Sequence, residues 1–131
     1  MTKTLSSKPA ISINIRDSLI LIHKNTLRIL GKPEYIQILV NPADKSIVLC
    51  CSSKSDHLAH PVKPEIFVDN KKTLRLHSYP LLQSLQRIYP KWSDKETYKI
   101  VGNFISHLNI VKFSMSDSFL STRCERGEYD E

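Results

Sequence analysis

Apolar and polar residues alternate where order is expected to begin. Ile11, Ile13 and Ile15 are separated by Ser12 and Asn14, the period-2 pattern of a half-buried strand. Arg16, Asp17 and Ser18 then supply a turn or bulge before the apolar run Leu19, Ile20, Leu21, Ile22, a second strand. Thr26, Leu27 and Leu30 followed by Gly31 predict one or two helical turns closed by a glycine. Pro33 stops that helix, and residues 35–40 (YIQILV) restart a strand rich in β-branched and aromatic residues. Asn41, Pro42, Ala43, Asp44 and Lys45 are turn formers. They join residues 35–40 to residues 46–51 (SIVLCC) as a hairpin. Residues 52–65 hold Ser, Asp, His and two prolines without periodicity, and read as a connector.

The second half restates this order. Ile66, Phe67 and Val68 read as a short strand, residues 69–72 (DNKK) as a polar turn, and residues 73–77 (TLRLH) as a better strand. Ser78 is a credible N-cap and Pro80 is tolerated in a first turn, while Leu81, Leu82, Leu85, Ile88 and Tyr89 share one helical face. Pro90 ends the helix. Residues 97–105 and 108–115 give two more strands about a Ser106-His107 turn. Residues 19–23 (LILIH) stand opposite residues 73–77 (TLRLH) at an offset of 54, and Leu27 then stands opposite Leu81. The expectation is an α+β fold in which two βαββ units, residues 11–51 and 66–115, interlock as one pseudo-symmetric, barrel-like domain spanning residues 11–120. Polar tails at 1–10 and 121–131 are expected to be flexible and dispensable for folding.

Length and composition agree with one domain: 131 residues that are 40% hydrophobic suffice for a single core of ordinary size. Charge adds a direction. Nineteen basic residues face thirteen acidic ones, for a net +6, and residues 121–131 are themselves net −2, so the body carries +8. Such a field favours nucleic acid, an anionic surface or an acidic protein, although a solvated basic surface gives the same count. Three cysteines, two of them adjacent, make no disulfide framework and suit a reducing, cytoplasmic location. The first residues lack a signal-peptide apolar run, and no stretch approaches the roughly 18 apolar residues that would span a bilayer.

The first half resembles the AbrB/MazE-like family of swapped-hairpin transcription factors and antitoxins. The residues that carry the likeness are SLILIHKNTLRILG, then PEYIQILV, then NPADKSIVL, with Leu30-Gly31 in the family's Leu-Gly position. The chain departs from that pattern in two places. Ser18-Leu19 stands where the family carries Gly-Arg before the apolar strand, and His23 stands where it carries Pro before the helix. The resemblance implies a DNA-binding regulator, and it implies that the second half supplies in one polypeptide what a second chain supplies in the family. The expected state is therefore a monomeric pseudo-dimer or a homodimer.

Candidate chemistry follows from the charges. Phosphate contacts need Lys or Arg on an exposed rim, and Arg16, Lys24 and Arg28 surround the first strand and helix as Arg75 and Arg87 surround their counterparts. These five are the candidate nucleic-acid-binding residues, with double-stranded DNA as the expected partner. Each of them alone reads more readily as a snorkelling surface side chain, and the five together carry more than any one. Cys50, Cys51, His57 and His60 invite a zinc reading, but adjacent cysteines on a strand point to opposite faces, so no metal site is expected. No Gly-rich phosphate loop is possible with glycines only at 31, 102 and 127, and no nucleophile sits in a recognised motif. The chain reads as a binding module that needs no cofactor and is not an enzyme. Trp92 reads first as core packing against the helix end and second as a partner-facing anchor. The alternative function is a small protein-binding inhibitor or accessory factor of a phage or other mobile element, its basic surface meeting an acidic or nucleic-acid-binding protein.

Overall fold

The computed structural model describes residues 8–68 and 73–121. Among them the chain is a strand-rich α+β arrangement with three α-helices and two antiparallel five-stranded sheets. Strand β1 (Ala10–Asn14) and strand β2 (Leu19–His23) form the first hairpin, and the inward residues Ile11, Ile13, Ile20 and Ile22 are at most 2% exposed. Helix α1 (Lys24–Ile29) follows directly. It ends as the Leu30-Gly31 signal predicts. Gly31 takes φ +92, its N–H donates to Arg28 O at 3.0 Å, and Lys32 N–H donates to Leu27 O at 3.0 Å, which together satisfy the last carbonyls of the helix. Thr26 is fully buried and satisfied, because its hydroxyl both donates to Ala10 O and accepts from Ala10 N, each at 2.9 Å. The ladder between β1 and β2 thus continues through a helical side chain.

Strands β3 (Tyr35–Asn41) and β4 (Ser46–Cys51) make the second hairpin about the predicted turn. The connector contains a two-residue strand, β5 (His60–Pro61), paired with β3. Helix α2 (Glu65–Val68) corrects the reading of residues 66–68 as a strand. Pro64 presets the backbone, Phe67 N–H donates to Pro64 O at 3.0 Å, and Ile66 turns into the core at 4% exposure, so a single helical turn wins. The polar turn expected at 69–72 lies outside the described residues.

Strand β6 (Thr73–His77) leads to helix α3 (Tyr79–Ile88), whose cap is as predicted: Ser78 Oγ accepts from Leu81 N at 3.4 Å, with Leu82 and Leu85 fully buried. Strands β7 (Thr97–Val101) and β8 (Asn103–Ile105) are halves of the run expected as one strand. Gly102 divides them, and there the chain passes from the first sheet to the second. Strand β9 (Ile110–Ser114), a 3-10 turn (Met115–Asp117) and strand β10 (Phe119–Leu120) complete the described chain.

The first sheet has the order β10-β7-β1-β2-β6 and the second β5-β3-β4-β9-β8. Read through the bend at Gly102, the strands run β6-β2-β1-β7, then β8-β9-β4-β3-β5, with β10 beside β7. One core cluster draws on both halves, joining Ile11, Ile22 and Leu27 to Leu82, Leu85, Val111 and Phe113. Two pairings bear on the repeat. β2 pairs with β6, and Leu21 and Arg75, which stand 54 positions apart, are direct partners. β4 pairs with β9, and there Leu49 partners Val111. Positions expected in the tails belong to the described structure: Ala10 opens β1, Pro9 O accepts from Gly102 N at 2.9 Å, and Ser121 N–H donates to Thr97 O at 2.8 Å. Residues 1–7 and 122–131 lie outside the described residues.

Candidate nucleic-acid interface

Because β-strand side chains alternate, the registers fix which residues share the outer face of the first sheet. With Ile11, Ile13, Ile20, Ile22, Tyr98 and Ile100 turned inward, the opposite face reads in rows. One row runs Phe119, Lys99, Ser12, Leu21, Arg75 across all five strands, and the next runs Thr97, Asn14, Leu19, His77. A third places His23 beside Thr73. None of the five strands carries an Asp or Glu, whereas this face carries Lys99, Arg75, His23 and His77. Lys99 and Arg75 are three strand spacings apart, about 14 Å. Arg75 is exposed and Lys99 half-buried, and neither forms a salt bridge among the described residues. Ser12 lies beneath the row, its hydroxyl 3.2 Å from His23 Nε2.

Of the five cations named from the sequence, the structure places one, Arg75, in this face, and the other four on the β1–β2 turn and on helices α1 and α3. Arg75 lies in its central row. Arg16 is in the β1–β2 turn, 3.9 Å from Asp17 Oδ1, and both side chains are largely exposed. Lys24 opens α1 and Arg28 closes it, so they sit past the opposite end of β2, with roughly 13 Å of strand between the two ends. Arg87 is in the last turn of α3, its guanidinium 3.5 Å from Ser84 Oγ. Lys99 joins the face without having stood out among the charges near the helices. Its signal in the sequence is the alternation of Thr97, Lys99 and Val101 with inward Tyr98 and Ile100.

The second sheet presents a different outer face. Its strands carry one Lys or Arg, Lys112, and this is neutralised: Lys112 Nζ donates to Asp44 Oδ2 at 2.9 Å, while Ser46 Oγ donates to Asp44 Oδ1 at 2.6 Å. Leu39, Val48, Cys50, Ile105 and Ile110 stand on the same face, with the uncharged polar residues Gln37, Asn41, Asn103 and Ser114 among them. The hydrogen bonds from Ser46 and Lys112 hold the Asp44 carboxyl below its ordinary value. A lowered carboxylate contributes stability that is complete above the unfolded value and is lost as pH falls through the folded one. Wild-type protein is therefore expected to lose urea resistance below about pH 4, and Asp44→Asn to remove part of that dependence. Parallel pH profiles for the two proteins would show that the contact between the β3–β4 turn and β9 is not made in solution.

The two adjacent thiols are placed as the alternation demands. Cys50 Sγ lies 3.8 Å from Gln37 O, and Cys51 Sγ lies 3.5 Å from both Leu30 O and Asn109 Nδ2. Burial pushes the Cys50 thiol up, reinforced by Cys51 and Asp56, which keeps it protonated at neutral pH. Among the described residues no group of three or more His, Cys, Asp or Glu could hold a metal ion. Trp92 is core, at 1% exposure. No described helix is long and apolar enough to cross a membrane. Comparison with protein-family models, with curated proteins and with solved structures finds no match for this chain.

Proposed function

We propose that the chain is a non-enzymatic DNA-binding regulatory protein of AbrB-like architecture, in which two βαββ units of one polypeptide form a pseudo-symmetric barrel. Two registers support the architecture. A two-fold axis between β2 and β6 must pass through a pair of equivalent residues, and the pair at the sequence offset, Leu21 and Arg75, are direct partners. A second equivalent pair, Leu49 and Val111, lies where β4 meets β9. The offset there is larger by eight, of which four come from the longer helix of the second unit, ten residues in α3 against six in α1, and four from the longer connections on either side of α3.

The observation that carries the function is the carboxylate-free outer face of the first sheet, with Lys99 and Arg75 in one row and Arg16, Lys24 and Arg28 beyond its two ends. Duplex DNA is a regular array of negative charge, and cations on one face add their fields whereas scattered ones largely cancel. With the family's Arg replaced by Leu19, the protein is expected to touch phosphates rather than base edges, so sequence selectivity should be weak.

The test is a titration of random-sequence duplex by fluorescence anisotropy over a range of salt. Affinity is expected to fall steeply with salt, and Lys99→Gln with Arg75→Gln to shallow the log–log slope by about 2, near 0.9 for each phosphate that is no longer neutralised. Unchanged binding by the double variant would move the interface elsewhere. No binding at low salt would leave the protein-binding alternative standing.

A further inference from the structure

We infer that the gap between β5 and β6 is a strand-acceptor site, which takes an extended segment of a partner polypeptide with alternating aliphatic and acidic residues. The inference rests on the two-fold relation proposed above. That relation pairs β2 with β6 and β7 with β3. Strand β1 lies between β2 and β7 and hydrogen-bonds to both, so its counterpart belongs between β6 and β3. At the offset of 54 that counterpart is residues 64–68, which fold as the turn and helix of α2 instead of a strand. The place is filled only in part. β3 receives the two residues of β5 on that side, and the outer edge of β6 pairs with no strand among the described residues.

What remains is a cleft of about 690 Å³, with residues 73–76 of β6 along one wall and Pro61, Lys63 and the first turn of α2 along the other. Four consecutive residues of β6 line it, so the cleft runs along the edge of the strand, where backbone N–H and C=O groups point outward. Such an edge is a template for a further strand.

The side chains define which strand. Leu74 and Leu76 of β6 are in the inward phase, partnering Ile22 and Ile20, while Arg75 and His77 are in the outward phase and exposed. A strand added in register must alternate in the same phase. Its inward residues would meet Leu74, Leu76 and the buried Ile66, which favours aliphatic side chains, and β1 itself carries Ile11 and Ile13 at the equivalent inward positions. Its outward residues would lie beside Arg75 and opposite Lys63, with Glu65 the one acidic residue among the described residues that line the cleft. Cross-strand pairs of opposite charge are favourable and like pairs are not, which favours carboxylates over lysines. A partner bound there would neutralise Arg75 in the central row of the first sheet, and so would compete with a polyanion on that face.

The experiment uses the full chain, isotope-labelled for amide NMR, and a blocked peptide of about eight residues in which valine and glutamate alternate. Controls are a peptide of the same composition in two blocks and an alternating valine–lysine peptide. The valine–glutamate peptide is expected to shift the amides of Leu74, Arg75 and Leu76 and to slow their hydrogen exchange, and the block peptide to do neither. Arg75→Glu, at an exposed position, should reverse the preference toward the valine–lysine peptide by several-fold. Silence of the β6 amides at millimolar peptide, equal response to the block peptide, or an unreversed preference in Arg75→Glu each overturns the site. Duplex titration of the peptide-free protein separates the two readings: binding of duplex with β6 silent removes the acceptor site alone, and a β6 response without duplex binding removes the nucleic-acid reading alone.

Discussion

Gly102→Ala is expected to destabilise the domain by about 1–3 kcal/mol or more, read as a fall in urea midpoint and in Tm. Gly102 is buried between β7 and β8, where the chain leaves one sheet for the other. A Cβ added there would stand 2.6 Å from two ring carbons of Phe113 and 2.8 Å from the backbone oxygen of Lys112. Approaches that short do not occur, so the neighbours must move. Phe113 is fully buried, and Lys112 O belongs to the central part of β9, which is laddered to β4 on one side and β8 on the other. Neither can give way freely. Alanine also stiffens the unfolded chain, a gain of about 0.4–1 kcal/mol that offsets only part of the clash. Pairing the change with Phe113→Leu, in a double-mutant cycle, separates ring from backbone. Partial recovery is expected, because the carbonyl remains. A Gly102→Ala protein as stable as wild type would show that the two sheets do not meet through this close approach.

Much of the fold was legible because its signals are local. The N-cap of Ser78, the apolar face of α3 at Leu81, Leu82, Leu85 and Ile88, the Leu30-Gly31 stop of α1 and the turn formers between β3 and β4 each act within a few residues, and each element is present where its signal predicts. The offset between residues 19–23 and 73–77 was legible for a different reason. Strands β2 and β6 pair directly, and two paired strands that share one inner face must share an alternation, so their sequences resemble one another even when few residues are identical.

The parts that were not legible depend on neighbours distant in sequence. Residues 66–68 have strand-like composition, but Pro64 and the burial of Ile66 favour a helical turn. Lys99 looks like any strand lysine until the register places it in a row with Arg75. The cleft beside β6 could not be read at all, because it is formed by β6 against the helical turn at Glu65–Val68, and alternation in one segment says nothing about what packs beside another. The candidate site divides in the same way. Arg75 follows from the repeat, whereas the absence of carboxylates from the whole outer face is a property of five strands drawn together from residues 10 to 120.

Trp92→Ala is expected to cost about 3–5 kcal/mol, and to loosen β10 before the rest of the first sheet. The indole joins three elements. Its ring stands edge-on to Tyr89 at the end of α3, with centroids 5.3 Å apart, and stacks on Tyr98 of β7 at 5.6 Å. Its N–H donates to Ser118 Oγ at 2.9 Å, just before β10, and its carbonyl accepts from Gln86 Nε2 of α3 at 3.1 Å. Alanine would leave a cavity among two rings and a hydroxyl without its donor, and neither tyrosine can collapse into the space while tied to its own helix or strand. Trp92→Phe keeps an aromatic ring while removing the hydrogen bond to Ser118 and part of the indole's volume, so its cost should be smaller, at about 1–3 kcal/mol. Strand β10 has two residues and, among the described residues, a single partner, β7, and Ser118 is its approach. Hydrogen exchange in Trp92→Phe should therefore quicken at the amide of Ser121, which donates to Thr97 O, while the amides of β1 and β2 keep their protection. The consequence reaches the outer face, because Phe119 of β10 stands beside Lys99 in the row that faces the proposed duplex. If Trp92→Ala costs less than about 1 kcal/mol, below the range for a buried indole, the ring is not part of the core and the anchor role for a partner returns in its place.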